Sequence, residues 1–283
     1  MWAYIIGAVC AVTATLDLKK IEPIQNAILI QGDFTDLKIQ DEIKSHFRKT
    51  NSWNIKTTKN NKRPQIATKA DVNAEKIMRK LINNSFPDHG IIGEELGAEN
   101  ENAEYVWVLD PIDGTKAFVS GLPFFGTMIG LIKNTKPIIG LIDQPITKDR
   151  IWGSSKGSYL NNKTVKTRSF ESINKTICAI TDPAMFIENN KDKAIYDMIV
   201  EKTLYVRHGT DCWGYAMCAG GTIDLVIEKD LEIWDIVAAR AIIEAAGGIV
   251  TAWNKSEAAS DRSVIAAANI ETYNFFTEII DKL

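Results

Sequence analysis

One stretch limits what this chain can become: Trp107-Val-Leu-Asp-Pro-Ile-Asp-Gly-Thr115. Tyr105 to Leu109 are apolar, aromatic or β-branched, which is the make-up of a buried strand. Pro111 lacks an N–H and fixes its own φ, so the strand is expected to stop at Asp110-Pro111. Gly114 lets the backbone approach a ligand closely. Lys116 to Ser120 can begin a helix, with Thr115 near its N-terminus and the first N–H groups facing an anion. The turn therefore offers the carboxylates of Asp110 and Asp113 to a hard cation and amides to a phosphate. The plain alternative is a strand–turn–helix corner in which Asp113 only caps a helix.

The remaining sequence has to decide between these. Apolar residues make up 45% of the 283, enough for one large domain or two lobes sharing a core. The net charge is −3, from 33 Lys and Arg against 36 Asp and Glu, which does not suit a nucleic-acid binder. The basic run Lys59 to Arg63 is short and reads as a solvated loop. Cys10, Cys178, Cys212 and Cys218 form no C-x-x-C pair and read as reduced thiols of a cytoplasmic protein. His46, His89 and His208 have no zinc spacing.

Residues 1–25 form an apolar N-terminal segment that has no assigned place. Its first 16 residues are too few to span a bilayer comfortably. Val12-Thr13-Ala14 resembles a cleavage site, yet no Lys or Arg precedes the apolar run as a secretory signal requires. A packed segment or a misassigned start is expected, and no membrane partner.

Residues 26–172 are expected to form an α+β lobe. A weak helical pattern covers 24–48 and a polar loop 50–66. A better helix runs from Asp71 to Ile82, with Ala74, Ile77, Met78, Leu81 and Ile82 on one face and Asp71 as a candidate N-cap. A short strand at Ile91-Ile92 delivers Gly93-Glu94-Glu95 to its end. Strands at Gly126–Ile132, Pro137–Asp143 and Arg150–Gly153 follow, in an antiparallel or mixed sheet, with a hairpin turn at Asn161-Asn162.

Residues 173–283 read as an α/β lobe closing the cleft. Strands are expected at Ile177–Thr181, Leu204–Arg207 and Ile223–Ile227. Helices are expected at Lys191–Lys202, Trp213–Ala219 and Asp235–Ala246, the last closed by Gly247-Gly248.

Glu94, Asp110, Asp113 and Asp235 thus stand at element ends. If the fold gathers them, four like charges share one cleft and push their own pKa values up. No matching Lys or Arg lies beside them in sequence. All-oxygen donors point to Mg²⁺ as the neutralising ion.

Glu94-Glu95, Asp110-Pro-Ile-Asp-Gly-Thr115 and Trp234-Asp235 with Gly247-Gly248 resemble the inositol monophosphatase superfamily of Mg²⁺-dependent, lithium-sensitive phosphatases. The resemblance implies a layered αβαβα sandwich of the inositol monophosphatase and fructose-1,6-bisphosphatase type. It implies Glu94, Asp110, Asp113, Asp235 and the Ile112 carbonyl as metal ligands, with two or three Mg²⁺ per site. Gly114 and Thr115 would supply phosphate-binding amides. Asp71 would hold the Thr115 hydroxyl, and Thr115 with Glu94 would orient the attacking water.

Within that superfamily, Asp110 to Gly121, Ile142-Asp-Gln-Pro145, Thr181 to Phe186 and Gly209 to Tyr215 resemble histidinol-phosphate phosphatases. The implied substrate is histidinol phosphate, whose cationic groups need carboxylates such as Asp211 and Glu228 at the cleft rim. Gly209, Thr210 and Asp235 complete the substrate-binding set. The plain alternatives are an N-cap for Asp211 and a solvated strand end for Glu228. Inositol 1-phosphate, a broader range of esters, or a role as an RNA-machinery partner are the other readings. The family also implies a homodimer.

Overall fold

The computed structural model describes residues 69–258 and 261–283. The expectations for residues 1–68, including the apolar segment, the weak helix, Cys10, His46 and the Lys59–Arg63 loop, lie outside the described residues.

The first layer is helix α1 (Lys69–Ser85). Its expected apolar face is present, with Met78 and Ile82 fully buried. The helix begins two residues before Asp71, so Asp71 is a buried acid inside the first turn and not the cap.

The second layer is an eight-stranded mixed sheet in the order β2-β1-β3-β4-β5-β6-β7-β8. Its strands are β1 (Gly90–Gly93), β2 (Gly97–Glu99), β3 (Tyr105–Asp113), β4 (Gly126–Lys133), β5 (Lys136–Gln144), β6 (Asp149–Ser154), β7 (Gly157–Leu160) and β8 (Lys163–Val165). Helix α2 (Thr115–Ser120) leaves the end of β3. Within this sheet β1 and β3 pair in parallel, and the other neighbouring strands are antiparallel. Trp107, Leu109, Ile129, Leu131 and Leu141 carry the sheet face that packs on α1.

The expected end of β3 at Pro111 is corrected. The strand continues to Asp113 through a register shift between Asp110 and Asp113. A bulge leaves one residue unpaired, so the missing N–H of Pro111 costs no ladder bond. The Thr127 hydroxyl on β4 donates to the Pro111 carbonyl at 2.8 Å and holds the bulge in place.

The fourth layer is a five-stranded sheet in the order β10-β9-β11-β13-β12. It comprises β9 (Ile177–Ile180), β10 (Tyr205–His208), β11 (Leu225–Lys229), β12 (Ile249–Thr251) and β13 (Ser263–Ala267). Helices α3 (Asn190–Lys202) and α6 (Ile270–Lys282) cover its outer face through Ile195, Ile199, Phe276 and Ile280, joined by Phe186 from the turn before α3. Helices α4 (Asp211–Ala219) and α5 (Ile233–Ala246) form the layer between the sheets. The order is therefore αβαβα, as the family resemblance implies. The sequence pattern alone assigns nothing to β12, β13 or α6.

The seating of α5 has a visible cause. Gly130, Gly140 and Gly153 stand in register across β4, β5 and β6. A Cβ at Gly140 would overlap the Ala238 carbonyl, one at Gly130 the Val237 side chain, and one at Gly153 the Ile242 backbone. Three missing side chains make a groove, and the small residues Ala238, Ala239 and Ala241 let α5 descend into it. The Ser158 hydroxyl donates to the Ile242 carbonyl at 2.5 Å inside this contact. The groove brings the N-terminus of α5, and with it Asp235, to the end of β3.

Candidate active site

The carboxylates meet where β1 and β3 end and α2, α4 and α5 begin. Parallel pairing sets Gly93 beside Leu109, so the next residues, Glu94 and Asp110, are neighbours. The Glu94 N–H donates to the Leu109 carbonyl at 3.1 Å, and Glu94 raises the pKa of the adjacent Asp110 carboxyl. Asp110 is buried and accepts the Ile112 N–H at 3.0 Å. Asp113 accepts the Cys212 N–H from the start of α4 at 2.5 Å, a link across 99 positions of sequence. Asp235 accepts the Glu232 N–H at 2.7 Å in a capping box with Glu232. Its capping role and its place in the cluster therefore coexist.

One oxygen from each of Asp110, Asp113 and Asp235 lies within 4.8 Å of the others. Burial is the main force on all four acids, and repulsion from neighbouring carboxylates adds to it. Glu94 is pushed up to about 8, Asp113 to about 7 and Asp235 to about 8. Asp110 is pushed well above the carboxylate range. The charged groups that act on them are other acids, among them Asp71, Glu95 and Glu228. Oxygen donors in mutual repulsion, buried at Asp110 and half-buried at Glu94, Asp113 and Asp235, with no Lys or Arg of the described residues among them, fit a hard divalent metal ion.

The Thr115 hydroxyl departs from expectation. It donates to the Ile112 carbonyl at 3.1 Å, and not to Asp71. Thr115 opens α2, where a short side chain easily folds back onto a local carbonyl. Gly114 has φ 82°, and a Cβ there would press on Asp211 at 3.0 Å and on Phe125 at 3.2 Å. Glycine is required both for the backbone and for the close approach.

The opposite wall comes from the second sheet. Gly209 has φ 69° and donates its N–H to the Thr181 carbonyl at 2.9 Å. Thr210 is the N-cap of α4, although its hydroxyl makes no capping bond. Asp211 is the first helical residue with φ 44°, so the N-cap alternative does not describe it. Burial first, then Asp113 and Glu228, push the Asp211 carboxyl up to about 8, while Lys116 opposes the rise. The Lys116 ammonium stands 3.4 Å from Asp182, tying α2 to the turn after β9.

The expectation for Glu228 is corrected. The sequence puts it at the cleft rim, with a solvated strand end as the alternative, but β11 continues to Lys229 and buries it. Its oxygens accept the Thr181 N–H at 2.7 Å and the Tyr215 hydroxyl at 2.6 Å. It supports the wall that carries Asp211. Among the described residues, Cys178, Cys212 and Cys218 are buried and form no disulfide, as expected. The sequence pattern does not single out Glu75, Thr127 or Lys116. Glu75 carries a signal that could have found it, because it lies one helical turn after Asp71 on the same face.

The sequence model of the inositol monophosphatase family matches residues 33–283. The chain belongs to this family. A bifunctional phosphatase of Arabidopsis thaliana, IMPL2, named as chloroplastic, is 40% identical over 226 residues, which is 76% of this chain and 65% of that protein. The chain thus aligns with just under two thirds of that relative's length. A histidinol-phosphatase of Chlorobaculum parvum is 28% identical over 71% of this chain and 78% of its own. The solved inositol monophosphatase of Zymomonas mobilis superposes with a TM-score of 0.70 at 32% identity, over 85% of this chain and 92% of that one. The family and these relatives place the chain among the phosphoric monoester hydrolases.

Proposed function

We propose that the chain is a Mg²⁺-dependent phosphomonoesterase that converts histidinol phosphate to histidinol and phosphate. The observation that carries the substrate choice is Asp211, a carboxylate sunk in the cleft wall beside the metal-binding acids. Histidinol phosphate bears an ammonium and an imidazole, and a cation leaving water needs a paired charge. Inositol phosphate has hydroxyls in their place. The histidinol-phosphatase relative supports this reading, and the inositol monophosphatase neighbour supports inositol 1-phosphate as the runner-up.

Glu94, Asp110, Asp113, Asp235 and the Ile112 carbonyl would hold two or three Mg²⁺. Bound there, the metal would lower the pKa of a water and stabilise the leaving oxygen. Gly114 and Thr115 would present backbone amides to the phosphate. Glu94 and Thr115 would orient the attacking water, and Asp71 is the acid assigned to the Thr115 hydroxyl in place of the carbonyl it uses here. Gly209 and Thr210 shape the wall against which the organic part of the ester rests. The reading is completed by a cytoplasmic homodimer with no nucleic-acid or membrane partner. Among the described residues, no helix is long and apolar enough to cross a membrane.

The test is a comparison of kcat/KM for L-histidinol phosphate, inositol 1-phosphate and p-nitrophenyl phosphate at fixed Mg²⁺, in wild type and Asp211→Asn. Asparagine tolerates the left-handed backbone of position 211 as well as aspartate does, so the change is local. Histidinol phosphate is expected to be the best substrate of the wild type. Asp211→Asn should cost it about 1.5–3 kcal/mol, roughly 10–150-fold, the range for a hydrogen bond to a charged group. p-Nitrophenyl phosphate should change less than about twofold, since it makes no such bond. Equal losses on all three esters would assign Asp211 to the fold and remove the case for an amine-bearing substrate.

A further inference from the structure

We propose that Glu75, braced by Arg79, is a positioning residue for this site: its buried carboxylate holds the backbone that carries Glu94. The inference rests on the phosphatase reading and extends it to a residue outside the carboxylate cluster. Asp71, Glu75 and Arg79 are spaced four apart on α1 and so line one face of it. Glu75 is fully buried. One carboxylate oxygen accepts the Glu95 N–H at 2.8 Å. The other accepts the Leu96 N–H at 3.3 Å and the Arg79 Nε–H at 2.7 Å. Arg79 also donates to the Gly97 carbonyl and stands 3.5 Å from Glu99. Gly93 completes the contact, because a Cβ there would overlap the Glu75 carboxylate.

The turn that carries Glu94 needs such a brace. It joins β1 to β2, and β2 is a three-residue edge strand exposed at every position. None of the three β2 residues is buried, so β2 itself anchors that side of the turn with no core contact. Glu94 is also repelled by Glu95, Asp113 and Asp71. Left to itself, the turn would move away from the cluster. A buried carboxylate is costly unless paired and fully hydrogen-bonded, and Glu75 meets that condition through Arg79 and two amides. Those two amides immediately follow Glu94. Groups that orient a metal ligand typically contribute about 10–100-fold to metal affinity or activity.

The experiment titrates Mg²⁺ alone into wild type, Glu75→Gln and Arg79→Lys by calorimetry, and follows kcat and KM of the best ester against Mg²⁺ concentration. Thermal unfolding of each protein reports its fold. Glu75→Gln keeps the shape but turns an N–H₂ toward groups that donate. It is expected to weaken Mg²⁺ binding about tenfold or more, and to lower kcat at limiting Mg²⁺. KM for the ester should stay within about twofold, because the ester does not touch Glu75. A folded Glu75→Gln protein that binds Mg²⁺ within about twofold of wild type would overturn the proposal. Should that variant lack a cooperative transition, Arg79→Lys decides on the same criterion, with a smaller shift in the same direction expected. A wild type that binds Mg²⁺ yet hydrolyses none of the esters would sink the phosphatase reading, and the Mg²⁺ titrations would then judge Glu75 separately.

Discussion

Asp110→Asn should lose phosphatase activity by roughly a hundredfold or more, while the metal-free protein becomes more stable than wild type. The two effects have one cause. Asp110 is buried against Glu94, Asp113 and Asp235, and all three raise its pKa. An amide keeps the shape of the side chain, and its oxygen can still accept the Ile112 N–H. It removes an acid that the metal-free fold must either keep protonated or leave charged among other acids, and with it a ligand of the metal ion. Steady-state kinetics at saturating Mg²⁺ and thermal unfolding with and without Mg²⁺ read the two halves. Activity above about a tenth of wild type would defeat the assignment of Asp110 as a ligand. An unfolded variant would show that its carboxylate serves the fold instead.

The second large effect is on stability against pH. Glu94, Asp113, Asp235 and Asp211 titrate near 7 to 8 in the folded chain, well above their unfolded values. Between about pH 4 and pH 8 the native state therefore holds protons that the unfolded state has released. Stability then falls as pH rises through that window, and it is highest on the acid side. Each proton held only by the native state costs about 1.4 kcal/mol of stability per pH unit, so the metal-free protein should lose roughly 3 kcal/mol or more between about pH 5.5 and pH 8.5. Mg²⁺ binds the deprotonated set, so its stabilising increment should grow with pH and flatten the curve. Urea unfolding at the two pH values, with EDTA or with Mg²⁺, measures this. A metal-free protein that is equally stable at both would show that the acids are solvated or paired in solution. A Mg²⁺ increment independent of pH would show that the ion binds elsewhere.

The strand before Asp110 is legible in the sequence because its apolar run is continuous, and the helices after Asp71 and Asp235 because their patterns are periodic. Gly114 and Gly247 are legible as backbone positions that other residues adopt at a cost, and both have positive φ. The misreadings are also local in origin. Pro111 reads as a stop wherever the ladder needs its N–H, and only the pairing of β3 with β4 shows that this one falls in a bulge. β13 is a short apolar run, which alone cannot be told from a helix segment. Glu228 looks like a solvated end because β11 outlasts its apolar core by two residues, which a pattern of hydrophobicity does not register.

The types and spacing of the acids belong to the sequence by itself: Asp110 and Asp113 on one turn, Glu94 after a strand, Asp235 at a helix start. What only the tertiary structure decided is that they meet. Glu94 reaches Asp110 through the parallel pairing of β1 with β3. Asp235 reaches them because three aligned glycines admit α5 between the sheets. Asp113 is joined to α4 by the amide of a residue 99 positions away. Asp211 became a half-buried group of the cleft wall, and Glu75 a brace for the Glu94 turn, by the same packing. A chain's local pattern reflects the propensities of neighbours along it. Mutual repulsion, burial and a shared metal depend on distances between elements, and those exist only once the layers have closed.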